Sequence, residues 1–404
     1  MNDLSLGLAE ALQITLEHMK PLAVESISLA YSTDRVAASD LYARVDSPSI
    51  DSSSKDGYAV LSHDVAGATL EMPVCLKMAG HLAAGGKKEI VHKQGTTVRV
   101  LTGARIPAGA DAVVSDEFVK PEGNNILVMN FAEPGQNILR RGRDVESRSC
   151  ILRQGQQITP GIIGLIAAAG HSIVPVFKNP TIAIIGTGDE IVAPGEPMGE
   201  GKMYASNIMT INAWCTRYNM KTLMKVVGDD FDSLTCALKI LSADADAIIT
   251  SGGAWTGERD LVGGTLEGLG WQQYFHRIRI GPGKAVGFGM LDKKPVFILP
   301  GGPPSNLIGF LQIALPGLLA LAGHANPCLP RIHARLAADL EGRERDWTRF
   351  FFGSLKEEEG LPLFHPLNSN SRLRDMAEAE AIASLPEGME RLLKGTVISV
   401  QVLK

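Results

Sequence analysis

The chain has 404 residues, of which 45% are hydrophobic and 21% charged, and its net charge is −5. Such a length and composition indicate a folded protein of about two to four domains. The negative charge excludes a general attraction to nucleic acid or to an anionic membrane, so we expect neither as a partner.

Cysteine usage and the N-terminus point to one compartment. The five cysteines are dispersed and form no CxxC pair, which argues against a zinc ribbon or a disulfide scaffold. The N-terminal twenty residues are too polar for a signal peptide. Even the apolar stretch 307–322 is interrupted by Gly309, Gln312 and Pro316, so we expect no membrane span. The predicted location is the cytoplasm.

Periodicity in the N-terminal half predicts one helix, a β-rich domain and a second helix. Leucines at positions 4, 8, 12 and 16 recur at helical spacing, and Pro21 ends the run. Strand-like segments at 70–78, 97–101, 112–114 and 126–129 predict a small β-rich domain over residues 46–140. Thr159-Pro160 is a helix start, with a cap followed by a proline at the first helical position, for residues 162–169.

After Pro180 the pattern is that of an α/β domain. Strands predicted at 181–185, 223–227, 247–249 and 296–299 alternate with helices, which indicates a mostly parallel sheet covered on both faces. Glycine- or proline-rich loops follow three of these strands, at Gly186, Ser251 and Pro300. Ligands bind beyond the carboxyl ends of strands in such sheets, so the three loops should share one edge. Residues 327–404 predict a further β-rich domain, with strands at 332–336, 350–355 and 397–402 and a helix at 373–384.

The most informative loop lies within residues 246–262, where a buried strand runs into Ser251-Gly252-Gly253 and then into a helix. Free backbone N–H groups in such a loop can hold an oxyanion. An ordinary strand-to-helix turn explains this composition equally well, since glycine-rich loops alone are weak evidence. No Walker A or HExxH motif is present, and the 186–190 loop lacks the GxGxxG spacing of a Rossmann dehydrogenase.

The chain contains a set of polar residues that could carry chemistry: Asp56, Thr102, Asp144, Glu190, Asp229, Ser251, Asp260, Arg277 and Lys284. Carboxylates beside an anion site suit Mg²⁺, which takes oxygen ligands and bridges to phosphates. Arg277 and Lys284 could neutralise a phosphate or another oxyanion. The set favours phosphoryl transfer or anhydride cleavage over acyl transfer. For any single carboxylate, a solvated helix end or a salt bridge is the better explanation, so only the set as a whole indicates a site.

Eight motifs, taken together and in order, resemble the molybdopterin molybdotransferase family, the MoeA and gephyrin E-domain proteins. They are DGYAV (56–60), LTGARIPAGADAVV (101–114), RRGRDV (140–145), GTGDEIV (186–192), SN (206–207), SGGAWTGERD (251–260), PGK (282–284) and LPGGPPS (299–305). Because they span almost the whole chain, the resemblance is far more specific than any one loop.

The resemblance implies a multidomain α/β plus β fold. Its expected parts are a discontinuous helical domain at 1–45 and 141–176, an inserted β-rich domain at 46–140, a three-layer MogA-like α/β domain at 177–326, and a β-barrel-like domain at 327–404. It also implies a homodimer with the site at the subunit interface, and other cofactor-biosynthesis proteins as partners.

The implied activity is insertion of molybdate into adenylylated molybdopterin with Mg²⁺-dependent release of AMP. By this analogy the catalytic residues are Asp56, Thr102, Asp144, Glu190, Asp229, Asp260 and Arg277, and Mg²⁺ is held by Glu190, Asp229 and Asp260. The expected cofactor-binding residues are Gly186, Thr187, Gly188, Ser251, Gly252, Gly253, Lys284, Pro300, Gly301 and Ser305.

Several positions depart from the family pattern. Gly281 stands where a lysine or arginine usually precedes PGK, Gly302 replaces an asparagine, Ala205 replaces an aspartate, and Trp255 occupies a usually small position. These changes motivate an alternative hypothesis, a divergent paralogue that binds a pterin or nucleotide without turnover. The sequence does not decide between molybdate and tungstate, and it does not give the role of each carboxylate or the geometry of the dimer.

Overall fold

A computed structural model describes residues 5–86, 88–253, 261–368 and 371–404 of the chain. Its helices are α1 (Leu8–Glu17), α2 (Pro160–Ala168), α3 (Ser206–Arg217), α4 (Phe231–Asp244), α5 (Leu261–Gly268), α6 (Pro303–Gly309), α7 (Leu315–Leu321) and α8 (Arg372–Glu378). Its strands are β1 (Val24–Ser28), β2 (Leu41–Tyr42), β3 (Ser52–Ser53), β4 (Gly57–Val60), β5 (Val74–Leu82), β6 (Thr96–Val100), β7 (Ala112–Ser115), β8 (Val119–Glu122), β9 (Asn125–Val128), β10 (Ile138–Leu139), β11 (Cys150–Leu152), β12 (Ile173–Phe177), β13 (Thr181–Thr187), β14 (Ile191–Val192), β15 (Met203–Tyr204), β16 (Lys221–Val227), β17 (Ala247–Ser251), β18 (Gln272–His276), β19 (Ile280–Gly281), β20 (Gly287–Leu291), β21 (Lys294–Leu299), β22 (Arg331–Leu336), β23 (Leu340–Glu341), β24 (Thr348–Lys356), β25 (Leu363–Pro366), β26 (Ala381–Leu385), β27 (Arg391–Leu392) and β28 (Val397–Val402).

The central sheet has six strands in the order β16-β13-β17-β21-β20-β18. The first four are parallel, and β20 runs antiparallel to both of its neighbours. Both faces of the sheet are covered. Ile182 and Ile184 of β13 pack in a core with α1, α3 and α7, whereas Ala183 and Ile185 pack in a second core with α4 and α5. Successive side chains of a strand point to opposite faces, so the predicted three-layer, mostly parallel architecture is confirmed.

One long helical run fills the larger of these cores. It covers Pro303–Leu321, with α6 and α7 joined by a π-helical turn at Phe310–Ala314. By length and a mean hydropathy of 1.5 this run could cross a membrane, but 83% of its apolar window is buried inside the protein. Its apolar side chains are therefore used in packing, as in a core helix.

A second six-stranded sheet, in the order β7-β4-β6-β5-β9-β8, is built from residues 57–128. The strands predicted at 97–101, 112–114 and 126–129 are confirmed as β6, β7 and β9. The strand predicted at 70–78 is wrong in its first half, because Thr69 and Met72 form a turn through two hydrogen bonds of 3.0 and 3.1 Å. Leu70 is consequently 80% exposed, and the strand begins at Val74.

The C-terminal region contains a closed barrel. Strands β24, β25, β22, β28 and β26 follow one another around it, and β26 pairs back with β24, which confirms the predicted β-barrel-like domain. The helix predicted at 373–384 is only partly correct. Helix α8 ends at Glu378, and 381–385 is strand β26, because pairing with β24 and β28 buries Ala381, Ile382 and Ala383. Tertiary pairing overrides local helix propensity there.

The segments on either side of the second sheet come together. Strand β1 pairs with β12, and β2 pairs with β11, so residues near 24–42 meet residues near 150–177. The predicted start of α2 is confirmed, since the Thr159 side chain accepts the Ile162 N–H at 3.4 Å. Helix α1, in contrast, packs on the central sheet, where Ala11 is fully buried.

We expect the central sheet to be sensitive to cavities. Ile249 of β17 is fully buried, so Ile249→Ala should lower the free energy of unfolding by about 2–5 kcal/mol, measured by urea denaturation. The control is Ile240→Ala on α4, where the side chain is 57% exposed and the change should stay within about 0.5 kcal/mol. Equal losses for the two variants would contradict this account of the core.

Candidate functional site

The three predicted loops share one edge of the central sheet. Gly186 of β13 lies opposite Ser251 of β17, and Ser251 lies opposite Leu299 of β21. The strands therefore end at one level, and the loops that begin near Thr187, Gly252 and Pro300 leave the sheet side by side. This confirms the expectation of a common strand-end edge.

The chain connections open a crevice at this edge. Beyond β13 the chain continues to α3, whose Ile208 and Ile211 pack in one core, whereas β17 continues to α5, whose Val262 and Leu266 pack in the other. Neighbouring strands whose connections leave toward opposite faces form a topological switch point, where α/β folds bind ligands. The crevice between the β13 and β17 loops is therefore the candidate binding site.

We call this crevice the strand-end cleft. Its described lining is Gly186, Thr187, Glu190, Ile191, Met203, Tyr204, Ala205, Ser206, Asn207, Ile208, Ser251, Gly252, Gly301 and Pro303. Six predicted site residues are among them: Gly186, Thr187, Glu190, Ser251, Gly252 and Gly301. Gly188, Gly253 and Pro300 lie in the same loops beside this lining, and Ser305 lies in the first turn of α6.

Glycine is required where two of the loops touch. Gly252 has a φ of 102°, and a Cβ there would lie 2.2 Å from the Thr187 carbonyl oxygen. Gly253 has a φ of 64°, and a Cβ there would lie 2.6 Å from Val262 Cγ2. Any side chain would therefore push the β17 loop away from the β13 loop. Close backbone approach keeps the floor of the cleft open to a ligand.

Two asparagines hold the third loop in place. The buried Asn306 amide donates to Ser251 Oγ at 3.0 Å and to the Pro300 carbonyl at 2.9 Å. Asn207 donates to the Gly301 carbonyl at 2.8 Å. Neither amide is among the site residues predicted from sequence. One sequence signal could have revealed Asn306, namely a polar amide in the first turn of the otherwise apolar helix 303–309.

Acidic side chains flank the β13 loop. Asp229 Oδ1 accepts the Thr187 hydroxyl at 2.8 Å, and the Asp229 N–H donates to Asp189 Oδ1 at 3.0 Å. The Glu190 carboxylate folds over Gly188, where a Cβ would lie 2.6 Å from Glu190 Oε2. Within the described ranges no cluster of three metal-ligating side chains occurs. Glu190 on the β13 loop and Asp229 on the neighbouring β16–α4 loop nevertheless offer oxygen donors, the chemistry that suits Mg²⁺.

Basic residues lie at the same edge of the sheet. His276, the last residue of β18, lies opposite Gly287, which lies opposite Ile298 of β21, so Arg277 follows the sheet at the level of Leu299, the last residue of β21. Arg277 has a φ of 77°, a strained conformation for a non-glycine residue, and its N–H donates to the Val286 carbonyl at 2.8 Å. The exposed Lys284 ammonium lies 5.4 Å from the centroid of the Trp347 ring.

Asp56 and Thr102 form a separate pair beside the second sheet, where Asp56 precedes β4 and Thr102 follows β6. The Thr102 N–H and hydroxyl donate to Asp56 Oδ1 at 2.7 and 2.8 Å, and these bonds hold the pKa of the Asp56 carboxyl below its usual value. Asp144 lies in another loop, where its N–H donates to the Ser47 carbonyl at 3.0 Å. As far as the chain is described, the lining of the strand-end cleft includes no residue from 46–144.

The remaining predicted site residue, Asp260, lies outside the described residues, as does Trp255. Of the 246–262 stretch, the structure thus describes the part up to Gly253, which includes Ser251-Gly252-Gly253, and the start of α5 at Leu261.

Three family models match the chain in succession. They are the MoeA N-terminal region (domain I and II) over residues 6–170, a probable molybdopterin binding domain over 183–320, and the MoeA C-terminal region (domain IV) over 333–403. The chain belongs to the MoeA family.

Individual MoeA relatives match over nearly their whole length. Molybdopterin molybdenumtransferase 2 of Mycobacterium tuberculosis is 30% identical, with 96% of this chain and 97% of the relative covered. The molybdopterin molybdenumtransferase of Bacillus subtilis is also 30% identical, covering 98% and 93%. The solved structure of a molybdopterin biosynthesis moeA protein from Pyrococcus horikoshii is 26% identical, with a TM-score of 0.83 over 98% of this chain and 100% of that one.

Two departures from the MoeA pattern leave open space. A Cβ at Gly302 would meet its first neighbour, Ser305 Oγ, at 4.0 Å, and a Cβ at Gly281 would lie 4.0 Å from Trp347 Cε3. Gly302 has an ordinary φ of −69° and caps α6 without a side-chain hydrogen bond. Both positions could therefore accept the side chain that is usual in the family.

We expect Asn306 to be essential to the cleft of this MoeA protein. Asn306→Ala leaves the Ser251 hydroxyl and the Pro300 carbonyl without their buried donor and should lower the free energy of unfolding by about 1–3 kcal/mol, measured by urea denaturation. The half-buried Asn207 makes a single bond to Gly301, so Asn207→Ala should cost less, about 0.5–1.5 kcal/mol. A reversed order would argue against this role for Asn306.

Proposed function

We propose that this protein acts in molybdenum cofactor biosynthesis by inserting molybdate into adenylylated molybdopterin with release of AMP. The observation that carries the proposal is the strand-end cleft at the switch point of a MoeA-family sheet, where the β13, β17 and β21 loops meet. Molybdate and phosphate are both tetrahedral oxyanions, so one cradle of backbone N–H groups suits either group. The chemistry is expected to take place in the cytoplasm.

The proposed binding residues fall into two groups with different tasks. The backbone of Gly186, Thr187, Gly188, Ser251, Gly252 and Gly253, together with Pro300, Gly301 and Ser305, would hold the pterin phosphate. The cations of Arg277 and Lys284 would neutralise the anionic substrates, since Arg277 leaves the sheet at the level of Leu299, directly before the β21 loop. This division follows from the short contacts of Gly252 and Gly253, which leave backbone rather than side chains at the floor of the cleft.

Carboxylates at and beside the β13 loop fit a Mg²⁺ ion. Glu190 and Asp229 would hold it, together with Asp260, and their oxygens are the ligands Mg²⁺ prefers. When bound, the ion would neutralise the charge that develops as the anhydride to AMP is broken. The hydrogen bond from the Thr187 hydroxyl fixes the Asp229 carboxylate toward the loop, so Thr187 is a positioning residue for this ligand.

A homodimer would complete the site. Asp56, Thr102 and Asp144 lie on parts of the chain that contribute nothing to the described lining of the strand-end cleft, so they would act on the cleft of the partner subunit. The Asp56 carboxyl, with its lowered pKa, stays ionised well into the acidic range and could contact a bound cation or a donor on the substrate.

AMP release is the direct test of this proposal. With adenylylated molybdopterin, molybdate and Mg²⁺, the wild-type protein should release AMP, measured by chromatography. Asp229→Asn should require an Mg²⁺ concentration roughly 10- to 100-fold higher, because the amide loses the charge that binds the ion. Glu196→Gln changes an exposed carboxylate outside the cleft lining and should behave as wild type. Failure of the wild type to release AMP would reject the activity.

A binding-only paralogue is the second candidate, favoured by the missing side chains at Gly281 and Gly302. Since a Cβ at Gly281 meets nothing closer than 4.0 Å, Gly281→Lys should keep the free energy of unfolding within about 0.5 kcal/mol of wild type. If the chain is an enzyme, the added cation should lower the KM for molybdate. Molybdopterin binding without AMP release in both wild type and Gly281→Lys would instead support the paralogue.

A further inference from the structure

A second cavity lies at the opposite edge of the central sheet, where β17 and β21 begin. It has a volume of about 490 Å³ and is lined by His18, Lys20, Leu22, Asp246, Gln272, Tyr274, Met290, Lys293, Pro295 and Leu321. Asp246 directly precedes β17, and Pro295 is the second residue of β21. We call it the strand-start cavity. In the described part of the chain it shares no lining residue with the strand-end cleft.

Aromatic rings form one wall of the strand-start cavity. The His18 and Tyr274 rings lie 3.8 Å apart between centroids, and Tyr274 stacks on Phe288 at 5.6 Å with an interplanar angle of 22°. Phe288 is fully buried and stacks in turn on Phe297 at 5.3 Å. His18 packs against Tyr274 at an interplanar angle of 40°, so the two rings form a tilted stack rather than one flat surface. Because this column is anchored in the core and both residues are half-buried in the cavity lining, the stack presents a fixed aromatic platform on which a planar ring can pack.

Charged and polar groups surround that platform. Lys20 and Lys293 are exposed at the cavity, and among the described residues neither ammonium has a hydrogen-bond or ion-pair partner. One oxygen of Asp246 accepts the Thr181 N–H at 2.8 Å, which leaves its other oxygen, together with the Gln272 amide, for a ligand. Two lysines against one carboxylate favour a ligand with an anionic group.

The backbone of Lys293 gives an independent indication. Leu291 pairs with Lys294, so Asp292 and Lys293 form a two-residue hairpin turn, and both have positive φ, 48° and 67°. Such a turn favours Asp-Gly, because glycine takes this conformation without strain. A lysine at the second position is strained, and strain of this kind is concentrated at functional sites. The turn holds the lysine where the cavity opens.

We propose that the strand-start cavity binds a nucleoside monophosphate, with the base on the His18–Tyr274 platform and the phosphate at Lys20 and Lys293. The aromatic platform and the two cations call for a planar ring joined to an anionic group. The volume exceeds what a simple aromatic acid needs, and Asp246 and Gln272 can pair with base amino groups and ribose hydroxyls. The site is distinct from that of the proposed reaction.

The test is calorimetric titration of the full-length protein with AMP, adenosine and inorganic phosphate. AMP should bind saturably, and adenosine and phosphate, each lacking one half of the ligand, should bind at least about 10-fold more weakly. Tyr274→Leu should weaken AMP binding at least about 10-fold, whereas Tyr274→Phe, which keeps the ring, should stay within about 3-fold of wild type.

Lys293→Gly separates a binding role from a structural one. Glycine removes the ammonium and relieves the turn, so the unfolding midpoint should not fall, while AMP binding should weaken at least about 10-fold. Lys120→Ala, on the exposed strand β8 of the second sheet, is the control and should bind as wild type.

AMP affinity that is unchanged in both Lys293→Gly and Tyr274→Leu would place AMP elsewhere, for example in the strand-end cleft, and overturn the proposal. Absence of saturable AMP binding at millimolar concentration would overturn it too.

Discussion

The register of the parallel strands is the constraint on which the candidate site depends. Gly186, Ser251 and Leu299 lie side by side because β13, β17 and β21 pair without a bulge, and a shift of one residue would turn each side chain to the other face of the sheet. That shift would exchange the two cores, since Ile182 and Ile184 belong to one and Ala183 and Ile185 to the other. Packing on both faces therefore fixes the level at which the three loops leave the sheet.

Once the strand ends are level, the loops stabilise one another through short polar contacts. The β17 loop approaches the Thr187 carbonyl so closely that only glycine fits at position 252, and the buried Asn306 joins the β17 loop to the β21 loop. A buried amide whose N–H groups are both hydrogen-bonded favours one arrangement of the loops. If the loops move apart, buried polar groups lose their hydrogen-bond partners, which costs free energy. The cleft is thus a rigid product of the core rather than a set of independent surface loops, which suits the binding of a small oxyanion.

Sequence patterns predicted those parts of the fold that local chemistry determines. The Thr159-Pro160 helix start, the alternation after Pro180 and the glycine loops all follow from nearby residues. The prediction failed where distant residues decide. Residues 381–385 have helical propensity but form β26, because the barrel closes only when that strand pairs with β24. In the same way, no pattern indicates that Ala11 of α1 packs on the central sheet, and the domain boundaries at 46, 141, 177 and 327 remain predictions.

The two ends of the central sheet also differ in whether nearby or distant residues determine them. Beyond the strand ends, the ligand-facing surface is largely backbone, so it requires glycines at fixed places, and those glycines form motifs that can be read along the sequence. At the strand starts, the surface includes side chains from the segment after α1, the residue before β17, strand β18 and the β20–β21 turn, which are far apart in sequence. His18, Asp246, Tyr274 and Lys293 follow no common spacing, and only the strained backbone at Lys293 marks the place locally. A site built from side chains on several elements therefore escapes motif analysis even where its chemistry is as specific as that of a glycine loop.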